Sequence, residues 1–146
     1  MSCQRDDGSV TFADLGPSLP YHDLAHLVAE RHFAIEYGFF GNVSHGYSIE
    51  ELAEERVIRS LGPDSWKAEV LARAVGSLVS GACSPQQFEE LVTSELSQMG
   101  LECEENLEED LACKLRQELQ ELISDYDNLA DGESQELVFR TNCGSC

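Results

Sequence analysis

The chain is poor in basic residues and in long apolar stretches. Its 146 residues include 9 Lys or Arg against 28 Asp or Glu, which gives a formal net charge of −19. A surface of that sign repels phosphate backbones and anionic lipids, so nucleic-acid binding is not expected. No apolar run approaches the roughly 20 residues that cross a bilayer, and residues 1–8 lack the apolar stretch of a signal peptide. We therefore predict no membrane span and a cytoplasmic location, with the oligomeric state left unknown.

The remaining composition suits one folded domain over residues 1–146, because the hydrophobic content is 42% and the length can bury a core. We predict a predominantly helical α+β fold of about five helices. The turn pair Asp7-Gly8 predicts a hairpin over 4–15, the helical body covers 20–130, and residues 136–141 form a strand that completes a small antiparallel sheet. Residues 142–146 are predicted to be a flexible tail.

Several helix limits can be predicted from end signals. Ser48 followed by Glu51 predicts a capping box that opens a helix to about Leu61. A second helix is expected from Asp64 as its cap, and a third from Ser84-Pro85 to a stop at Gly100. The last helix, over 107–129, has an apolar stripe at helical spacing.

The first helix, predicted over 21–37, carries the side chains best suited to catalysis or metal binding. With 100° per residue, His22, His26, Glu30 and Asp23 fall within an arc of about 100°. Histidines four residues apart can bind one metal ion, and a carboxylate one turn further is a third ligand or an acceptor that orients an imidazole. We predict His22, His26 and Glu30 as ligands for Zn²⁺, or else Fe²⁺ or Mn²⁺. Asp23 is the candidate catalytic residue.

Simpler explanations exist for each of these residues. Asp23 and His22 are also suited to the start of a helix, where Asp favours the positive end of the dipole. His26 is equally compatible with a hydrogen-bonded core histidine, and Glu30 with an arginine pair. His32 lies about 240° from His26 and cannot share its site. His45 reaches the pair only if the chain folds back after Gly38–Gly41, a break whose aromatic rings we expect in the core.

Two resemblances add to this pattern. His22-Asp23-Leu24, His26, Glu30 and then Gly38-Phe39-Phe40-Gly41 resemble a family of small uncharacterised bacterial proteins with the pattern HDLxHxxxE followed by GF[FW]G. More remotely, the helix is similar to the HDxxH zinc signature of a ubiquinone-biosynthesis family, which implies His22, Asp23 and His26 as metal ligands. That family has a glutamate twelve residues after the second histidine, where this chain has Gly38. Glu30, or else Glu36, would have to substitute.

The second half of the chain suggests a different class of function. Between Ser84 and Glu136 there are 16 acidic residues against Lys114 and Arg116. Solvated helix faces explain this best, and the acids alternate with leucine in a way that argues against a DNA-mimicking decoy. A dock for a basic protein partner is the alternative to a metal-dependent hydrolase or lyase.

The six cysteines do not indicate a disulfide framework. We interpret Cys83, Cys103 and Cys113 as core fillers. The pair Cys143 and Cys146 is interpreted as part of a frayed tail or as an adventitious metal-binding site rather than as a redox centre.

Overall fold

The chain begins with a hairpin and continues as helices. The structure, a computed structural model, describes residues 1–14, 16 and 19–141. Within that part, strands β1 and β2 precede seven α-helices, with one 3-10 turn, Pro85–Gln87, between α5 and α6. The bounds are β1 Ser2–Gln4, β2 Val10–Phe12, α1 Leu19–His32, α2 Phe39–Ser44, α3 Ile49–Leu52, α4 Glu55–Ser60, α5 Pro63–Ser80, α6 Phe88–Gln98 and α7 Glu109–Asp127. The predicted, predominantly helical α+β class is confirmed.

Three long helices form the main core. Helix α1 packs on both α5 and α7, which also pack on each other. Each helix buries apolar side chains at helical spacing against the others. They include Leu24 and Val28 of α1, Leu71 and Val75 of α5, and Leu115 and Leu119 of α7. The stripe predicted for the last helix therefore faces the core, as expected.

The hairpin packs against the short helices α2 and α3. Its strands pair antiparallel, with Cys3 opposite Thr11. The Arg5 side chain donates to the carbonyl oxygens of Val43 and Tyr47, and the Thr11 hydroxyl accepts from the Ile49 amide. A second apolar cluster fills this contact, so the hairpin is held by residues well separated from it in sequence.

The predicted third strand over 136–141 is wrong, because the sheet has two strands and residues 136–140 form no ladder in the part of the chain described here. This segment instead crosses the region where α1 ends and α2 begins. Arg31 donates to the Val138 carbonyl oxygen, and the Phe139 ring lies 5.7 Å from that of Phe40. The Phe139 side chain thus packs against α2, while the side chains of Leu137 and Val138 are exposed. The predicted tail, 142–146, and Leu15 of the predicted hairpin lie outside the described residues.

Helix α1 ends five residues before its predicted limit of Tyr37. Ala34 adopts φ +50°, in the left-handed region, and the Ile35 amide donates back to the Glu30 carbonyl oxygen. This bond pattern closes a helix, although the residue in the left-handed position is usually glycine. Because alanine and not glycine occupies this position, the end of α1 could not be predicted from a glycine.

The end signals further along are mostly confirmed. The capping box predicted at Ser48 forms, and the helix start predicted at Ser84 also has a capping box, with Gln87. The helix predicted over 48–61 is divided into α3 and α4. The cap of α5 is Gly62 with Pro63 in the first turn, so the predicted cap Asp64 is wrong. Over residues 1–14, 16 and 19–141, none of the helices combines the length and the hydropathy that a bilayer span requires.

The interpretation of the cysteines as core fillers fits Cys83 best, because that side chain is buried. Cys103 and Cys113 are half-buried. Cys103 lies in the loop before α7 and donates to Glu105, and burial, followed by that contact, raises the pKa of its thiol to about 11.

Candidate metal centre

Helix α1 brings two imidazoles together at its first two turns. His22 and His26 are one turn apart, their ring centroids are 4.7 Å apart, and their planes are perpendicular. The His26 side chain is 7% exposed, whereas that of His22 is 39% exposed. The convergence predicted from the spacing is therefore present, with one ring buried and the other reaching solvent.

The third member of the group is Glu69, on α5. Its Oε2 lies 3.4 Å from Nε2 of His22 and 3.1 Å from Nε2 of His26. One ligand atom from each residue lies within 4.8 Å of the other two. Two imidazole nitrogens and a carboxylate oxygen at this spacing suit Zn²⁺, Fe²⁺ or Mn²⁺.

Arg73, one turn beyond Glu69 on α5, restrains the same carboxylate. Its Nε lies 3.6 Å from the other Glu69 oxygen, Oε1, and its guanidinium pairs with Glu95 at 2.8 Å. Oε1 is thus turned towards the arginine, and Oε2 is left facing the two histidines.

Glu30 lies beside this group but is not one of the three. Its side chain is fully buried, and its carboxylate accepts hydrogen bonds from the amides of Phe39, Phe40 and Gly41 at 2.6, 3.0 and 3.2 Å. It thereby caps α2, whose first amides have no partner within the helix. Its Oε1 also lies 3.1 Å from Nδ1 of His26. Of the roles that the sequence left open for Glu30, the geometry matches the acceptor that orients an imidazole.

Gly38 and Gly41 allow this close approach. A Cβ atom on Gly38 would lie 2.3 Å from the carboxyl carbon of Glu30, and one on Gly41 would lie 1.9 Å from the Glu36 carbonyl oxygen. Glycine is needed at both positions because the space is filled, and not because of an unusual φ. The rings of Phe39 and Phe40 between them are only half-buried, so the expectation that they enter the core holds in part.

The charges around His26 reinforce one another. Burial opposes the charged imidazole, but the hydrogen bonds to Glu30 and Glu69 outweigh it and raise the pKa of His26 to about 9. The hydrogen bonds from His22 and then His26 hold the pKa of Glu69 far below its usual range. An incoming cation would displace the His26 proton from Nε2, while Nδ1 continues to donate to Glu30.

Asp23, the predicted catalytic residue, is half-buried next to His22. Its Oδ2 is buried and has no hydrogen-bond partner among the described residues. Burial raises the pKa of Asp23, and the nearby imidazoles of His26 and His22 partly oppose that rise. An acid with this environment suits proton transfer, because its pKa moves towards neutrality.

The remaining histidines lie elsewhere. His32 is exposed, with its ring 5.3 Å from that of Phe33, as its helical angle predicts. Nδ1 of His45 is 2.7 Å from the Gly41 carbonyl oxygen, and its ring lies 4.7 Å from that of Tyr37. These contacts hold His45 on the outer side of α2, and it does not belong to the group formed by His22, His26 and Glu69.

Glu69 is the residue that sequence reasoning missed. It is separated by 43 residues from His26, and its spacing to Arg73 is typical of an ordinary surface ion pair. Its position between the buried residues Ala68 and Val70 was the available signal.

Comparison with protein-family models, curated proteins and solved structures finds no match to this chain.

Proposed function

We propose that this protein binds a divalent metal ion through His22, His26 and Glu69 and acts as a hydrolase or a lyase. The observation that carries the proposal is the convergence of two Nε2 atoms on Glu69 Oε2, at 3.4 and 3.1 Å. Glu69 takes the ligand position that the sequence alone assigned to Glu30. Zinc is the first candidate, with iron or manganese as alternatives.

The surroundings of His26 support a metal role. Metal-ligating histidines usually donate their second ring N–H to a carboxylate, which fixes the tautomer and the ring. Glu30 is placed to accept that bond from Nδ1. In addition, the Glu30 carboxylate occupies the space where a side chain at position 38 would begin. The HDxxH zinc-signature family, which the helix resembles, has its glutamate at that position.

The accessibility of the group supports chemistry at the ion. The side chains of His22 and Glu69 are 39% and 40% exposed, so a bound ion would have a side open to water or substrate. With three protein ligands, the open position would hold a water whose pKa the metal lowers towards neutrality. Asp23, with an unpaired buried oxygen, is the proposed general base.

The test is metal analysis and titration. The background is a Cys143→Ser/Cys146→Ser variant, purified under reducing conditions without chelator, so that the tail thiols cannot contribute a site. We expect one equivalent of Zn²⁺ or Co²⁺ per chain. His26→Ala and Glu69→Gln should each lose more than the roughly 10- to 100-fold in affinity that removal of an imidazole's hydrogen-bond partner costs.

The matched control is His32→Ala, which removes an exposed histidine from the same helix. It should bind metal like the background protein. Equal affinity in the Glu69→Gln variant and the control, or no bound metal in the background protein, would overturn the proposal. The Co²⁺ absorption spectrum adds a separate readout, because its intensity reports the coordination number.

A second candidate is an acidic module that docks a basic protein partner. It is supported by the exposure of the acids on α6, α7 and the loop between them, which include Glu89, Glu90, Glu104, Asp110 and Asp125. Charge-driven binding weakens as salt rises, because exposed charges are screened. A captured partner that dissociates at high salt, and is also lost from a Glu89→Gln/Glu90→Gln variant, would support this function. Salt-insensitive capture would contradict it.

A further inference from the structure

A cavity lies next to Glu30, at the place where α1 ends and the segment 136–141 crosses it. Its volume is about 330 Å³ and it is open on one side. That size is at the lower limit of cavities that hold small molecules. Its walls are formed by Glu30, Arg31, Ala34, Ile35, Val138 and Arg140.

The cavity concentrates positive charge in an otherwise acidic protein. Two of the chain's nine basic residues, Arg31 and Arg140, line it. Arg31 donates to the Val138 carbonyl oxygen. Neither guanidinium has a carboxylate partner among the described residues. Other arginines do have one, namely Arg56, Arg59 and Arg73. Guanidiniums beside a cavity that no carboxylate of the described residues neutralises are suited to bind an anion in a two-point contact.

The one acid of the lining does not cancel this charge. Glu30 is 1% exposed and its carboxylate accepts three amide hydrogen bonds in addition to its contact with His26. Its negative charge is therefore already compensated inside the protein. The rest of the wall is apolar, from Ala34, Ile35 and Val138.

We propose that this cavity binds a small organic anion, a carboxylate with a short apolar chain, between the guanidiniums of Arg31 and Arg140 and the apolar wall. The carboxylate would accept hydrogen bonds from the two arginines. The chain would cover Ile35 and Val138. Because the cavity is lined by no member of the candidate metal group, this binding does not depend on a metal ion.

The test uses protein stripped of metal and dialysed free of chelator. Its amide signals are followed by NMR during titration with isovalerate, inorganic phosphate or the uncharged isovaleramide. We expect isovalerate to shift the signals of Ala34, Ile35 and Val138 in a saturable way. Isovaleramide should bind much more weakly because it lacks the charge, and phosphate because it lacks the apolar chain.

The matched variants are Arg140→Gln and Lys114→Gln, which each remove one exposed charge. Arg140 lies at the cavity wall, and Lys114 lies on α7. Arg140→Gln should weaken isovalerate binding by about tenfold or more, the usual effect of losing a charge-assisted hydrogen bond, and Lys114→Gln should leave it unchanged. Arg31→Lys serves as a second variant that keeps the charge but loses the planar fork. Equal weakening by Arg140→Gln and Lys114→Gln, equal binding of phosphate, or binding that appears only when metal is restored would overturn the assignment.

Discussion

The substitution Gly38→Ala tests the contact between α1 and α2 most directly. The new Cβ would lie 2.3 Å from the Glu30 carboxyl carbon, whereas non-bonded carbons approach to about 3.5–4.0 Å. The carboxylate would have to move by about 1 Å or more. It could not then keep its hydrogen bonds to Phe39 and Phe40, which are 2.6 and 3.0 Å long.

The magnitude follows from the bonds that are lost. A hydrogen bond to a charged group contributes about 1.5–3 kcal/mol, so the loss of two bonds should lower the free energy of unfolding by about 3–6 kcal/mol. For a chain of this length, at roughly 3 °C per kcal/mol, the corresponding fall in Tm is about 10–20 °C. Urea and thermal unfolding of the metal-free protein measure both quantities.

The chain contains a matched control for this change. Gly62 caps α5 with φ −77°, close to the φ of −76° at Gly38, but a Cβ on Gly62 would meet nothing within 4 Å. The cap and backbone-entropy effects of an alanine are therefore shared, and the difference between the two variants isolates the contact with Glu30. If Gly38→Ala and Gly62→Ala unfold within about 0.5 kcal/mol of each other, a difference usual for neutral surface changes, the account of Glu30 is refuted.

Three further predictions concern the same region, and each is checked by urea unfolding of the metal-free protein. The pKa of His26 is about 9 in the folded protein against its ordinary value of 6.5, so the folded state holds the proton to higher pH. The stability that His26 contributes is complete below pH 6.5 and is lost as the pH rises to about 9, by up to about 3 kcal/mol. A His26→Gln variant whose stability has the same pH profile as that of the wild type would contradict this prediction. Ala34→Gly should raise the free energy of unfolding by about 1 kcal/mol, because glycine adopts the left-handed conformation without strain. The control Ala53→Gly, at a right-handed position, should lower the free energy of unfolding. If both variants are less stable than the wild type, Ala34 is not strained. Asp23→Asn should raise the unfolding midpoint at neutral pH, because it removes a buried charge whose Oδ2 has no partner, and a clear loss of stability would mean that the carboxylate is stabilised in the fold.

The features that depend on neighbouring residues could be predicted from the sequence. The His22–His26 pair follows from one helical turn, and both capping boxes follow from residues three positions apart. The arc on α1 also placed Glu30 near the two imidazoles. Whether Glu30 is a metal ligand or a hydrogen-bond acceptor could not be predicted, because that role depends on how the chain turns after α1.

The features that depend on distant segments could not be predicted. Glu69 reaches the histidines because α1 packs along α5, and no local pattern fixes that alignment. The segment 136–141 has a short apolar run typical of a strand, Leu137-Val138-Phe139, yet Arg31 and Phe40 provide its partners. Gly38 was interpreted as a chain break, whereas its role is to leave room for a carboxylate that comes from eight residues earlier in the chain.

The Glu30 carboxylate has one more consequence, for observing the protein. It contacts His26 through one oxygen and the first amides of α2 through both. If an ion replaces the proton on Nε2, the Nδ1–H bond towards Glu30 becomes less polar than in the imidazolium, and the carboxylate shares more of its density with the amides of Phe39 and Phe40. The proton chemical shifts of these two amides should therefore report what happens at the histidine, so occupancy can be read from a helix that supplies no ligand.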